Sequence, residues 1–213
     1  MIIEDIALYL QKGRAQNVKT LVQQALDEGN KPQDILNGGL IKGMTVIGGK
    51  FKRNEVFVPE VLVAARAMNA GLDILRPALI QSGIKPIGKA LICTVKGDLH
   101  DIGKNLVKMM LEGQGIECID LGVDVSYEKV IESTIEHQPD LVCLSALLTT
   151  TMMAQRETVK ALKSLKIDKD FKILVGGAPV TEAFAKEIGA DGYAADAASA
   201  ALLAKELLNV GQK

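Results

Sequence analysis

Residues 95–107 read VKGDLHDIGKNLV. The apolar run ALICTV (90–95) leads into this stretch and an amphipathic pattern leads out of it, so it reads as the turn between a β-strand and an α-helix. At the turn stands His100, one of only 2 histidines, with Asp98 and Asp101 around it and Gly103 three residues on. The reading of this unit decides the fold, because the same pattern repeats downstream.

Strand-like runs recur at about 89–95, 116–121, 140–146, 171–175 and 191–195. Helical patterns lie between them at about 101–114, 126–137, 151–166 and 180–188, with a last helix from about 197 to 209. Short apolar strands alternating with helices predict parallel βαβ units. Right-handed crossovers then make a doubly wound, flavodoxin- or Rossmann-like five-stranded sheet. Such sheets bind ligands beyond the carboxyl ends of their strands, so functional residues should follow each strand.

Upstream the periodicity is different. Residues 1 to about 82 read as helices, including a face of Val18, Leu21, Val22, Ala25 and Leu26 and a long stripe from Val58 to Leu79. Pro32 and Pro59 suit first helical turns. These segments predict an N-terminal four-helix bundle. Its third segment, ILNGGLIKGMTVIGGKF, carries glycines at 38, 39, 43, 48 and 49, explained either by close helix packing or by a bulky group approaching the backbone. QSGIKPIGK (81–89) reads as a linker, which puts the helical domain at 1–87 and the α/β domain at 88–213, an α + α/β chain.

Composition narrows the function classes. Hydrophobic residues are 48% of the 213, enough for a buried core, and the net charge of −1 offers no basic face for nucleic acid. No apolar run is long enough for a membrane span, and the acidic N-terminus is unlike a signal peptide, so a cytoplasmic protein is expected. Cys93, Cys118 and Cys143 sit in strand-like runs without a CxxC, and read as small buried hydrophobes. His137, near a helix end, is given no role.

The strand ends carry the chemistry. After the first strand come Gly97, Asp98, His100, Asp101, Ile102 and Gly103; after the third come Ser145, Leu147, Thr149 and Thr151; after the fourth comes Gly176-Gly177; beyond the fifth lie Tyr193 and Asp196. No phosphate-cradling GxGxxG or GxxxxGK[ST] is present. On its own, a histidine at a helix start more often caps or makes a structural hydrogen bond than binds a ligand. Asp98 or Asp101 would fix the tautomer and leave the other nitrogen free, the arrangement of a metal-binding histidine. A single histidine cannot hold a metal alone, so if His100 binds one, something else must supply the other ligands, as a macrocycle would.

Asp98-x-His100-x-x-Gly103 resembles the D-x-H-x-x-G motif of cobalamin-binding domains, Ser145-x-Leu147 their S-x-L, and Gly176-Gly177 their GG. Phe51 to Val61, FKRNEVFVPEV, resembles the cap region of methyl-cobalamin modules. The whole chain is similar to the corrinoid proteins of anaerobic methyltransferase systems and to the cobalamin module of methionine synthase. The resemblance implies a cobalamin cofactor whose cobalt is bound by His100, with Asp98 behind the imidazole and Thr151 ending a proton relay. It implies a nucleotide-tail slot lined by Gly97, Asp101, Ile102, Gly103, Ser145, Leu147, Thr149, Gly176, Gly177 and Tyr193, the glycines giving clearance, with Asp196 at its far end. Asp101 leans toward helix capping.

Phe51, Phe57, Val58 and Val61 would shield the corrin's upper face. The implied function is a methyl carrier, a subunit of a methyltransferase system rather than a complete enzyme, cycling between cob(I)alamin and methylcob(III)alamin. Its implied partners are a substrate-specific corrinoid methyltransferase, a second methyltransferase serving tetrahydrofolate or coenzyme M, and a reductive activator. The donor stays open among methylamines, quaternary amines, methanol and aryl methyl ethers, leaning to tertiary or quaternary amines. The alternatives are the cobalamin subunit of an adenosylcobalamin mutase, which generally lacks this helical cap, and a cobalamin-dependent sensor, which needs a DNA-binding module.

Overall fold

The structure, a computed structural model, describes residues 2–83 and 85–210, with 209 and 210 as backbone only. Ile84 of the expected linker, Met1 and residues 211–213 of the expected domains lie outside it. The chain divides into two compact units, 1–86 with 113–115, and 87–112 with 116–213.

The first unit is helical: α1 (Ile2–Gln11), α2 (Ala15–Asp27), a short α3 (Pro32–Asp34), a π-helical stretch (Ile35–Ile41), α4 (Lys42–Lys52) and α5 (Val58–Gln81). Its core joins Ile6 and Leu10 of α1, Val18, Val22 and Ala25 of α2, and Val61, Ala64, Ala65, Met68 and Leu75 of α5. Pro32 and Pro59 do open helices, and the Glu60 carboxylate accepts from the Phe57 N–H at 3.0 Å to cap α5.

The glycine-rich third segment resolves in favour of close packing. A Cβ at Gly38 would lie 2.9 Å from Ile3, one at Gly39 3.0 Å from Ile6, and one at Gly43 3.1 Å from the Ala7 carbonyl. Helix α1 thus approaches the backbone of this segment directly. The unforeseen feature is that Gly38 and Gly39 lie in π-helix rather than α-helix.

The second unit alternates β1 (Gly88–Thr94), α6 (Ile102–Glu112), β2 (Ile116–Asp120), α7 (Tyr127–His137), β3 (Leu141–Ser145), α8 (Met152–Ser164), β4 (Lys172–Gly176), α9 (Glu182–Ile188), β5 (Gly192–Tyr193) and α10 (Ala197–Val210). The sheet is wholly parallel with strand order β2-β1-β3-β4-β5. Leu91, Cys93, Val142, Leu144, Ile173 and Val175 pack with Val130 of α7, Val159 and Leu162 of α8 and Ala185 of α9. α6 and α10 pack on each other, α6 also on β1 and β2, and α10 on β4. Helices on both faces explain why the strands are continuous apolar runs rather than alternating ones.

All three cysteines are free. Burial pushes the Cys93 and Cys118 thiols up to about 12 and the Cys143 thiol well above its ordinary value, so they behave as small core side chains. His137 ends α7, and its backbone carbonyl accepts from Lys89 Nζ at 3.3 Å.

The order places a topological switch between β1 and β3, whose following segments lead away in opposite directions. Residues 95–101 and 146–151 leave the sheet there. Thr94, Ser145 and Gly176, each the last residue of its strand, stand side by side in register.

Candidate functional site

The site is built around a buried carboxylate at the switch. Asp98 has 0% exposure, and a charge there survives only by collecting donors. Its Oδ2 receives the Leu147 N–H at 2.7 Å and lies 2.8 Å from the Thr151 hydroxyl. Its Oδ1 receives the His100 N–H at 3.1 Å and faces His100 Nδ1 at 3.0 Å. Burial alone would raise the Asp98 carboxyl, but the Leu147, Thr151 and His100 donors outweigh it and hold the group at about 2. Thr151 has one hydroxyl proton and a second acceptor, the Leu148 carbonyl at 2.9 Å; the carboxylate is the stronger of the two.

An ionised Asp98 opposite Nδ1 settles the tautomer: Nδ1 carries the proton and Nε2 presents its lone pair. Nε2 has no hydrogen-bond partner among the described residues, and the side chain is 54% exposed. Thr94, fully buried, donates its hydroxyl to the His100 carbonyl at 2.8 Å and so holds the backbone of that residue as well. The apolar neighbours point outward: Leu99 is 74% exposed and Ile102 75%, with Leu147 and Leu148 also exposed. The exposed imidazole thus lies in a segment that also exposes aliphatic side chains, a combination that marks interaction surfaces.

Among the described residues no group of three or more His, Cys, Asp or Glu side chains gathers to hold a metal ion. His100 thus offers one free imidazole nitrogen, Nε2. Gly103 follows it by three residues. A Cβ there would meet nothing within 4 Å and its φ is not left-handed, so neither protein packing nor backbone strain calls for glycine.

The other expected residues fall in several places. Gly97, at φ +82°, turns the chain before Asp98. Ser145 ends β3 half-buried, and Thr149 lies exposed in a single 3-10 turn before α8. Gly177 follows β4, but not merely for clearance: at φ +128° a Cβ would lie 2.6 Å from the Ala146 carbonyl carbon and closer to its oxygen, so the protein's own backbone demands glycine. Tyr193 packs against the core of the sheet. Asp196 accepts from the Ser199 N–H and hydroxyl, both at 2.8 Å, and so caps α10.

Asp101 precedes α6, and its carboxylate accepts from the Asn105 side chain at 3.2 Å, a side-chain contact rather than the expected backbone cap. In the helical unit, Phe57 is 65% exposed, Phe51 and Val58 are half-buried, and Val61 is buried in that unit's own core.

Two features escaped the sequence reading. Thr94 gave no signal beyond a polar residue at a strand end. Lys104, 3% exposed in α6, places Nζ 2.6 Å from each Asp120 oxygen and 2.8 Å from Asn105 Oδ1, tying the helix to the end of β2.

The depressed Asp98 carboxyl makes a prediction for the protein without cofactor. A carboxyl held at about 2, against an unfolded value near 3.9, stabilises the fold fully above the unfolded value and loses that contribution as pH falls through the folded one. Urea unfolding of wild type and Asp98→Asn should therefore differ by about 2 kcal/mol less at pH ~2 than at pH ~5. A difference that stays constant with pH would show that Asp98 is not held ionised.

Two models of a B12 binding domain match the chain, one over residues 2–76 and one over 88–202. A corrinoid protein of Desulfitobacterium hafniense is 39% identical over 97% of this chain and 97% of its own length. A monomethylamine corrinoid protein of Methanosarcina acetivorans is 42% identical over 88% of each chain. The crystal structure of a methanol:cobalamin methyltransferase complex from Methanosarcina barkeri contains a chain that superposes with a TM-score of 0.84 at 31% identity, covering 98% of this chain and 80% of that one. With both units matched in sequence and the fold matched in three dimensions, this chain belongs to the family of B12-binding corrinoid proteins.

Proposed function

We propose that this chain is the corrinoid methyl carrier of a methyltransferase system. The observation that carries the reading is the exposed His100 imidazole, its Nδ1 proton directed to buried Asp98 and its Nε2 without a protein partner. When bound, the cofactor's cobalt supplies the chemistry of accepting and releasing a methyl group. His100 Nε2 would be the nitrogen that holds the cobalt. Asp98 would hold the Nδ1 proton and so leave the Nε2 lone pair free, while Leu147 N–H and the Thr151 hydroxyl keep Asp98 ionised. Gly97, Gly103, Ser145, Thr149 and Gly176 line the space for the nucleotide tail.

The proposed partners are a substrate-specific methyltransferase that loads the methyl group, a second one that passes it to tetrahydrofolate or coenzyme M, and a reductive activator. The methyltransferase complex of the M. barkeri relative supports the first of these. The monomethylamine relative supports a methylated amine as donor. Three free cysteines and no helix among the described residues long and apolar enough to cross a membrane support a cytoplasmic setting.

Paramagnetic resonance of the reconstituted cobalt(II) protein tests the ligand. An axial ¹⁴N splits each high-field line into a triplet, and an axial ¹⁵N into a doublet. Protein labelled with ¹⁵N-histidine and loaded with unlabelled cobalamin should show doublets. Triplets unaffected by the label would mean that the cofactor keeps its own base, and the reading of His100 would fall.

A further inference from the structure

The turn that carries Asp98 and His100 is held from two sides. On the β3 side stand the Leu147 and Thr151 donors already described. On the β2 side the ladder runs past the strand ends: the Thr94 N–H donates to the Gly122 carbonyl at 3.0 Å, the Val125 N–H to the Thr94 carbonyl at 3.1 Å, and Val95 and Val125 form a parallel bridge. At the end of this run lies Asp124.

Asp124 touches the turn with both its backbone and its side chain. Its N–H donates to the Asp98 carbonyl at 2.9 Å, and its Oδ1 accepts the Gly97 N–H at 2.8 Å. These contacts embrace the peptide unit that enters Asp98. Lys96 Nζ lies 3.1 Å from Asp124 Oδ2. Asp124 pays for the position with a left-handed backbone, φ +54°, unusual for a residue with a side chain. Such a conformation persists only where surrounding contacts over-determine it, and it clusters at sites where geometry matters. Asp and Asn tolerate it better than other non-glycine residues, which accounts for the residue type.

We infer that Asp124 is a positioning residue for the axial ligand: it fixes the Gly97–Asp98 turn so that His100 is presented to the cofactor in one orientation. The inference rests on His100 being that ligand. No hydrogen bond joins Asp124 to the imidazole among the described residues; its contacts are with Gly97, Asp98 and Lys96. Its side chain is 40% exposed, so water can replace part of what it provides, and its loss loosens the turn more than it destabilises the fold.

Four variants separate the contributions. Asp124→Ala removes the acceptor and leaves a strained backbone. Asp124→Gly removes the acceptor but relieves the strain. Asp124→Asn keeps both the acceptor and the tolerance for φ > 0. Lys96→Met removes only the ion pair. The first measurement is amide hydrogen exchange across residues 97–101 in the protein without cofactor. The second is the fraction of cobalt(II) carrying the histidine nitrogen at fixed neutral pH, read from the ¹⁵N doublet in loaded protein.

Asp124→Ala and Asp124→Gly should exchange about 3- to 10-fold faster and hold a correspondingly smaller nitrogen-ligated fraction, the loss expected for one hydrogen bond. Asp124→Asn should restore both readouts, and Lys96→Met should leave both at wild-type values. Wild-type exchange in Asp124→Ala would overturn the clamp. Faster exchange with an unchanged ligated fraction would overturn the link to His100. Absence of the doublet in wild type would instead remove His100 as the ligand, and with it the positioning role, whatever the exchange rates.

Discussion

His100→Ala should abolish the ¹⁵N-histidine doublet while leaving the protein folded. The second half of that expectation follows from what the side chain does in the absence of cofactor. It is 54% exposed and makes one polar contact, Nδ1 to Asp98. Asp98 keeps its Leu147 and Thr151 donors and the backbone N–H of residue 100, so the buried charge is not orphaned. The cost to stability should be about 1 kcal/mol, that of one partly exposed hydrogen bond. The first half follows from the donor inventory. Among the described residues no other cluster of metal-ligating side chains stands ready, so no neighbour replaces the lost nitrogen. Cobalamin that still binds should keep its own base, and its triplets should ignore the label. A persisting doublet would place the axial nitrogen on His137, at the end of α7, and would sink the assignment.

The contrast between what could and could not be read from the sequence has a physical origin. The sheet was legible because both its faces are covered: β1, β3 and β4 are short continuous apolar runs, and Gly97 and Asp98 punctuate the exit of β1, Gly177 and Pro179 that of β4, and a run of threonines that of β3. The His100 turn was legible because its chemistry is local, with Asp98, His100 and Gly103 within six positions. What stayed hidden depends on contacts between distant segments. The glycines of the third segment hinted at close packing, but nothing in them announces that residues 35–41 would wind as a π-helix. Lys104 lies on an amphipathic helix where a lysine would ordinarily be solvated, and only the carboxylate of Asp120, 16 residues on, makes its burial tolerable. Val61 belongs to the apolar stripe of α5, but periodicity cannot say which of its members stay at the surface; Val61 is buried and Leu62 is 39% exposed. Asp124 carries no motif at all, because its role rests on a backbone angle.

Gly177→Ala should be the most damaging single-methyl change in the α/β unit, and the reason differs from the one its motif suggests. The resemblance gives the double glycine as clearance for a ligand, which predicts a folded protein that binds cofactor poorly. The geometry predicts a failure before any ligand arrives. The new Cβ would overlap the backbone of Ala146, a residue whose own N–H is fixed to the Gly176 carbonyl at 3.1 Å, and φ +128° lies outside the range of L residues. Strain of this kind and forced backbone movement together should cost at least about 3 kcal/mol, lowering the melting temperature of the unit by roughly 6–12 °C. The displacement also has a direction. Ala146 precedes Leu147, whose N–H is the shortest hydrogen bond to Asp98, so relief of the clash moves the donor that keeps Asp98 ionised. Gly103→Ala provides the comparison, since a Cβ there meets nothing within 4 Å and adopts no strained φ. The cofactor-free Gly103→Ala protein should melt at or slightly above the wild-type temperature and still bind cobalamin weakly. Calorimetry of the two cofactor-free variants decides between the explanations. If Gly177→Ala melts like wild type, glycine stands there for the ligand alone; if it melts well below Gly103→Ala, the two glycines of the site answer to different constraints, one to the protein's backbone and one to the space it keeps open.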